Sequence, residues 1–336
     1  MRRLSLLLAI ASLPALLPAQ YRIVNTFTVG GDGSWDYVVP DPVNHRIFIG
    51  RQTRVMVVDE NDGKLLGEVP DIHGAHGTAI AEKSGHGFAT SGNDSSIVMF
   101  DLKTYGVLGR VHAAEDADAI LYDPVSDRVF SLNGDAHSST VVDPTSGKVI
   151  ANVPLGGKPE YGVSGGDGMV YANITDNSEV VVIDAKKLTV VRRWSTAPCK
   201  QPVAMAIDRA HQRLFSGCRS GVMAVSGIRA GKVVATIPIG AGTDGAAFDP
   251  ASGDAFASNA DGTLTIIHQD GPDTYRVAQS LQTAPGSRNM GLDPVTHRAF
   301  VVAATMGPAP AESTAANPRR RPQVLPGSFR VLVIAR

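Results

Sequence analysis

The sequence predicts an all-β fold, a seven-bladed β-propeller with four antiparallel strands per blade, closed by an N-terminal strand that completes the last blade. Three observations lead there: an aromatic residue that recurs about every 40 residues, a strand–turn–strand phrase that follows it, and a fourth-strand phrase at the N-terminus that the last repeat lacks. The aromatic ruler is Phe48, Phe88, Phe130, Tyr171, Phe215, Phe256 and Phe300, spaced by 40, 42, 41, 44, 41 and 44 residues. Five copies carry it inside one recurring phrase, as in DPVNHRIFIG from Asp41 and DPVSDRVFSL from Asp123. GHGFAT and GMVYAN are the copies without the leading Asp.

Within a unit, runs of Val, Ile, Phe and Thr are punctuated by Asp-Pro, Asp-Gly and Ser-Gly, the spacing of hairpins. Blade three reads as AILYD, RVFSL, STVVD and KVIANV, four strands in succession. No segment after the first residues sustains a helical period. The aromatics fall on second strands, where they are expected to fill the space between neighbouring sheets. A ring must join its ends or leave two open sheet edges. The seventh repeat ends at Arg336 one strand short, and YRIVNTFTVGG (21–31) matches the fourth-strand phrase of KVVATIPIGAG.

The first 19 residues, MRRLSLLLAIASLPALLPA, combine Arg2 and Arg3 with a short apolar run and a small-residue end. That is the pattern of a cleaved secretory signal, and Pro14 and Pro18 make a membrane anchor a poor alternative. Residues 20–336 are then one propeller domain in the periplasm or outside the cell, with no transmembrane segment after cleavage, and a monomer is expected. The chain has 43% hydrophobic and 19% charged residues, ordinary globular usage. Losing Arg2 and Arg3 takes the formal charge from −1 to −3, so nothing draws the whole molecule to nucleic acid or acidic lipid.

The phrases GMVYANITDNSEVVVIDAKKLTVV and GKVVATIPIGAGTDGAAFDPASGDAFASN resemble the YVTN-type repeat of YncE-like and surface-layer-type propellers. The resemblance covers residues 21–304 and 329–336. It implies an exported seven-bladed binding propeller with no activity common to the family. Single-stranded nucleic-acid binding occurs within YncE-like relatives, but an acidic mouth opposes it here. The chain departs from the repeat at Ser226 and His268, which replace an Asp, and at an insertion in blade seven.

Function has to be argued from a site, because propellers host many chemistries. The Asp-Pro turns share one rim and are accounted for by turn chemistry. The other rim carries the links into each first strand and those between second and third strands. Counting five residues back from each Asp41-type position gives Asp36, His76, Asp118, Glu160, Val203, Asp244 and Arg288 at the channel mouth. Asp32, His73, His112, Glu115, Asp116, Lys158 and Lys200 lie in neighbouring loops. Converging carboxylates and imidazoles suit a divalent ion, calcium through oxygen ligands or a transition metal through His73, His76, His112 and Asp118. Like-charged carboxyls also raise one another's pKa and suit acid–base hydrolysis, as in a metal-dependent lactonase. Solvated charges without a ligand are the plain alternative. The leading expectation is a binding or scaffold protein that recognises a small ligand or an extracytoplasmic protein at Asp36, His76, Asp118, Glu160, Asp244 and Arg288. Haem-attachment, zincin, nucleophile-elbow and phosphate-loop motifs are absent from the sequence.

Cys199 enters blade five and Cys218 ends its second strand, so both fall on the mouth rim, where an oxidising compartment favours a disulfide over two buried thiols or a soft-metal pair. Residues 305–328 form a Pro- and Ala-rich insertion on the same rim, whose composition predicts extended or mobile chain. Its Arg319, Arg320 and Arg321 offer bidentate pairing to the acidic groups of a partner or of the mouth.

Overall fold

A computed structural model describes residues 20–313 and 322–336. The signal-like segment 1–19 and the candidate partner residues Arg319, Arg320 and Arg321 lie outside the described residues. The described chain forms seven four-stranded antiparallel sheets and no α-helix, and no helix in it is long and apolar enough to cross a membrane. Each first strand packs against the first strands of both neighbouring sheets, all the way round, so the sheets form a ring about a central channel. Six sheets are consecutive in sequence. The seventh takes Met290–Asp293, Arg298–Ala303 and Arg330–Ala335 from the C-terminal part and Arg22–Thr28 from the N-terminal part.

The ruler aromatics explain the period. Phe48, Phe88, Phe130, Phe215, Phe256 and Phe300 are completely buried, and Tyr171 nearly so, each in the core between two sheets. The repeated Asp is a turn former: Asp41, Asp123, Asp208, Asp249 and Asp293 are buried and accept the backbone N–H of Asn44, Ser126, His211, Ala251 and Val295. On third strands, Asp59, Asp101, Asp143 and Asp184 accept the N–H groups two and three residues on.

Two kinds of β-bulge recur. In every blade the fourth strand carries one extra residue against the third, for example Leu66, Leu108 and Ile150. The N-terminal strand does the same at Val24, so it plays the fourth-strand part in local geometry as well as in sequence. First strands bulge too. His76 and Gly77 oppose Thr90 alone, Asp118 and Ala119 oppose Leu132, and Glu160 and Tyr161 oppose Asn173. Val203 and Asp244 are the extra residues of their pairs. A bulge re-aims a side chain and breaks the ladder locally, which is how an inner strand turns a polar group into a channel.

The two arms of the insertion pair where they are described. Met306 bridges to Val324, Gly307 N–H donates to Gln323 O at 2.8 Å, and Leu325 N–H donates to Thr305 O at 2.9 Å. Backbone pairing and the Ser328 hydroxyl, which donates to Leu325 O at 2.7 Å, supply order where apolar burial is scarce.

Both ends of the domain are held by one carboxylate. Asp254, 1% exposed, accepts Tyr21 Oη at 2.8 Å, lies 2.7 Å from His268 Nδ1 and pairs with Arg336. Tyr21 is further fixed through its N–H and C=O, both bonded to the Gln279 side chain at 2.9 and 2.7 Å. His268, where the repeat elsewhere has Asp, therefore serves this latch. Asp254→Ala leaves a guanidinium and a phenol without their buried partner, a loss on the order of 3 kcal/mol. Urea unfolding is expected to show the midpoint falling accordingly, and a change under about 0.5 kcal/mol would contradict the assignment.

Candidate functional site

The bulged first strands of blades two, three, four and six deliver His76, Asp118, Glu160 and Asp244 to one end of the channel. Asp36 and Arg288 arrive from the links into blades one and seven. All six line one cavity of about 760 Å³, together with Asp116, Lys158 and two residues that sequence reasoning missed, Tyr37 and Arg219. Val203 occupies the equivalent place in blade five but is buried and offers no polar group.

The cavity is a cup. Tyr37 of blade one and Tyr161 of blade four meet across the channel with ring centroids 5.2 Å apart, and Tyr37 Oη donates to Glu160 O at 2.9 Å. Tyr37 also lines a second cavity of about 380 Å³ deeper in the channel, so the two rings divide mouth from interior. Aromatic bodies with hydroxyl tips suit this place, because the rings fill space while a tip satisfies a backbone group.

His76 Nδ1 lies 2.6 Å from Asp36 Oδ2 and 3.4 Å from Asp118 Oδ1. Asp36 also accepts Asn289 Nδ2 at 3.2 Å. Gly92 stands against His76 Nε2 at a distance where a Cβ would sit only 2.8 Å away, so a side chain there would displace the imidazole. Opposite, Arg219 reaches Glu160 at 3.2 Å and Arg288 Nε reaches Asp244 at 2.9 Å. Lys158 bridges Asp116 and Asp135 at 3.1 and 2.7 Å.

Burial and crowding push these groups toward sharing protons. Burial alone would lower His76, but the Asp36 hydrogen bond and the fields of Asp118 and Asp116 outweigh it and raise it to about 9. Burial foremost, with repulsion from Asp36, Glu160 and Asp116, holds Asp118 well above the carboxylate range although His76 opposes this. Burial lifts Glu160 to about 7 and Asp244 to about 6 against the pull of Arg219 and Arg288. Asp118 Oδ1 is buried and hydrogen-bonded to nothing, despite its ionic contact with His76.

The metal set expected from sequence is corrected. Asp36, His76 and Asp118 have ligand atoms within 4.8 Å of one another. His73 does not join them; its imidazole, largely exposed, pairs with Asp94 at 3.2 Å. His112 sits exposed at the end of an outer fourth strand. Proximity along the chain misled because loop and outer-strand backbones turn these rings away from the axis. Cys199 and Cys218 are joined by a disulfide with Cα atoms 5.8 Å apart, in the wall of blade five beside Arg219.

A third cavity, of about 730 Å³, adjoins the cup. Trp35, Gln52, Met306, Pro322, Val324 and Pro326 are among its lining, and Arg288 belongs to both walls. The loop that supplies Trp35 and Asp36 is pinned by Arg51, which is fully buried and donates to the carbonyls of Gly30, Asp32, Gly33 and Ser34. Its guanidinium lies 3.8 Å from the Phe329 ring centroid.

No protein-family model matches this chain, and no curated protein matches it. Solved structures resemble it in fold. It is 10% identical to the structure of U3-55K, covering 94% of this chain and 98% of that one with a TM-score of 0.75. The WD40 repeats of RRP9 are 10% identical over 95% and 98% of the two chains, with a TM-score of 0.76. A hydrazine synthase chain from Kuenenia stuttgartiensis is 14% identical over 71% and 96%, with a TM-score of 0.51. At these identities the likeness is one of fold alone, that of a β-propeller.

Glu160 gives the site a pH signature. The folded protein holds its proton more tightly than the unfolded chain does, about 7 against an ordinary 4.5, with Arg219, Lys158, Asp244 and Asp36 facing it. Its contribution to stability is therefore complete below pH 4.5 and lost as the pH rises through 7. Between pH 5 and 8 the wild type is expected to lose on the order of 2 kcal/mol more than Glu160→Gln, read from urea midpoints. Parallel pH profiles would show that Glu160 is not held this way.

Proposed function

We propose that the protein is an exported binding propeller, of the YVTN or YncE-like kind its repeat resembles, whose mouth captures a positively charged ligand or partner group. The observation that carries this reading is Asp118, whose buried Oδ1 has no hydrogen-bond donor in a cup that already holds Asp36, Glu160 and Asp244. A buried carboxyl in that state is stabilised by an incoming cation more than by any neutral group. The cup is also closed below by Tyr37 and Tyr161, so what enters is held rather than passed through. The disulfide between Cys199 and Cys218 supports export to an oxidising compartment.

A divalent metal ion is one such cation, and Asp36, His76 and Asp118 are the residues that would hold it, an oxygen-rich set with one imidazole. This supports a second reading, a metal-dependent hydrolase of lactonase type. In it Glu160, with a pKa near 7 in the same cup, would take a proton from water, and an ion held by Asp36, His76 and Asp118 would supply Lewis-acid polarisation of the bond to be cleaved.

Calorimetric titration with Ca²⁺, Mn²⁺, Zn²⁺ and agmatine tests the first reading. At least one probe is expected to bind once per chain, with affinity at least tenfold lower in Asp118→Asn and unaltered in His73→Gln and His112→Gln. Failure of all four probes, or a wild-type response from Asp118→Asn, would overturn it. For the second reading, lactone and ester hydrolysis dependent on the bound metal is expected to fall at least a hundredfold in Glu160→Gln. A metal-loaded protein that turns over neither substrate class leaves the binding reading alone.

A further inference from the structure

We infer that the cavity beside the cup is a second recognition subsite, and that the two together take a short peptide segment in which a Lys or Arg side chain adjoins an apolar one. This rests on the cationic reading of the cup and adds the body that carries the cation. Three observations support it. The cavities adjoin at Arg288, which forms part of both walls while its Nε pairs with Asp244 at 2.9 Å. Trp35 lines one cavity and Asp36 the other, so the two walls are continuous along the chain at residues whose Cα atoms are about 3.8 Å apart. Consecutive residues of a bound peptide present their side chains on that same length scale.

The third observation is chemical. The neighbouring cavity presents Trp35, Met306, Pro322, Val324 and Pro326, with Met306 42% exposed. A bare metal ion gains nothing from such a wall. A ligand with an apolar body gains by removing that body from water against the wall, so the wall discriminates among cations by what is attached to them. Met and Pro side chains present apolar surface without fixed hydrogen-bond direction, which suits the apolar side chain of a peptide, beside polar groups of Ser34, Gln52 and Gln323 in the same lining. The wall is rigid enough to act as a subsite, since Arg51 fixes the Trp35 loop from below and the Met306–Val324 pairing fixes the other side.

Tryptophan occurs twice in the chain, at Trp35 and Trp194, so a Trp194→Phe background makes Trp35 the sole indole reporter of the subsite. The probes are three blocked dipeptides, acetyl-Arg-Phe-amide, acetyl-Arg-Gly-amide and acetyl-Gly-Phe-amide, followed by fluorescence and by calorimetry on the wild-type chain. The Arg-Phe probe is expected to shift Trp35 emission and to bind at least tenfold tighter than Arg-Gly. Trp35→Ala and, independently, the exposed-site change Met306→Glu are each expected to erase that tenfold gain. Equal affinity for Arg-Phe and Arg-Gly would overturn the subsite while leaving the cationic cup standing. Gly-Phe binding as tightly as Arg-Phe, or no binding of either Arg probe to a cup that binds Ca²⁺, Mn²⁺ or Zn²⁺, would overturn the peptide assignment. Failure of the Arg probes and of every metal ion would remove the cup reading with it.

Discussion

The seam where Arg22–Thr28 pairs with Arg330–Ala335 is the constraint on which the rest depends. A ring of sheets distributes its contacts between neighbours, so each blade is supported from two sides only while the circle stays shut. Several interactions guard this one junction. Asp254 gathers Tyr21 and Arg336 at one end of the N-terminal strand. At the other end Val29 and Gly30 donate to Phe329 O at 3.1 and 2.9 Å, and Arg51 lies over the Phe329 ring while holding the carbonyls that follow. Because Arg51 finds carbonyls rather than a carboxylate, its burial lowers its pKa to about 10, still far above neutrality. The charge therefore persists, and every carbonyl it holds would be left without that donor if the side chain were apolar.

What this junction positions is the site. Asp36 follows the Arg51-bound loop by two residues and Arg288 lies in the link before blade seven, so the seam runs through the cup. The residues that meet there span 36 to 288 in sequence. No local propensity holds such distant positions together; closure does. Tyr37 makes the point physically, since it reaches from blade one to the Glu160 carbonyl of blade four across the channel. That bond doubles as a brace across the ring and as the cup's floor.

The repeat made the architecture legible, and it located the mouth for a specific reason. Turn chemistry fixes the Asp at the end of five first strands, the period marks the equivalent place in the other two, and the bulge recurs at a constant offset before it, so counting back five residues lands on the inward-turned position in blades two to six. Legibility ended where the repeat does. Arg219 sits in a loop between second and third strands on the mouth rim, a place that the strand order marked, but nothing in its local sequence says that it bends inward to Glu160. The Tyr37–Tyr161 contact joins two copies that the period treats as equivalent, and only closure of the blades brings their side-chain rings together. His73 and His112 show the converse error: residue type suggested ligands, whereas outward backbone geometry assigns them to the surface.

The insertion lies in the connection between the second and third strands of blade seven, the blade that is built from both chain ends. From this position on the rim its arms stand directly beside the Trp35 loop, because blades seven and one are neighbours only through closure. In blades two to six the same residues would flank a link without tryptophan, given that the second tryptophan, Trp194, packs in the interior against Tyr171. Closure thus sets two unlike surfaces side by side, a cup in which carboxyls outnumber the groups that neutralise them and a wall of Met, Val and Pro. Charge fixes position only weakly in water, where two unit charges 4 Å apart exchange about 1 kcal/mol, but far more strongly in a shielded cup. Apolar contact contributes comparable free energy without direction. Selectivity follows from requiring both within one residue's reach, which neither surface imposes alone.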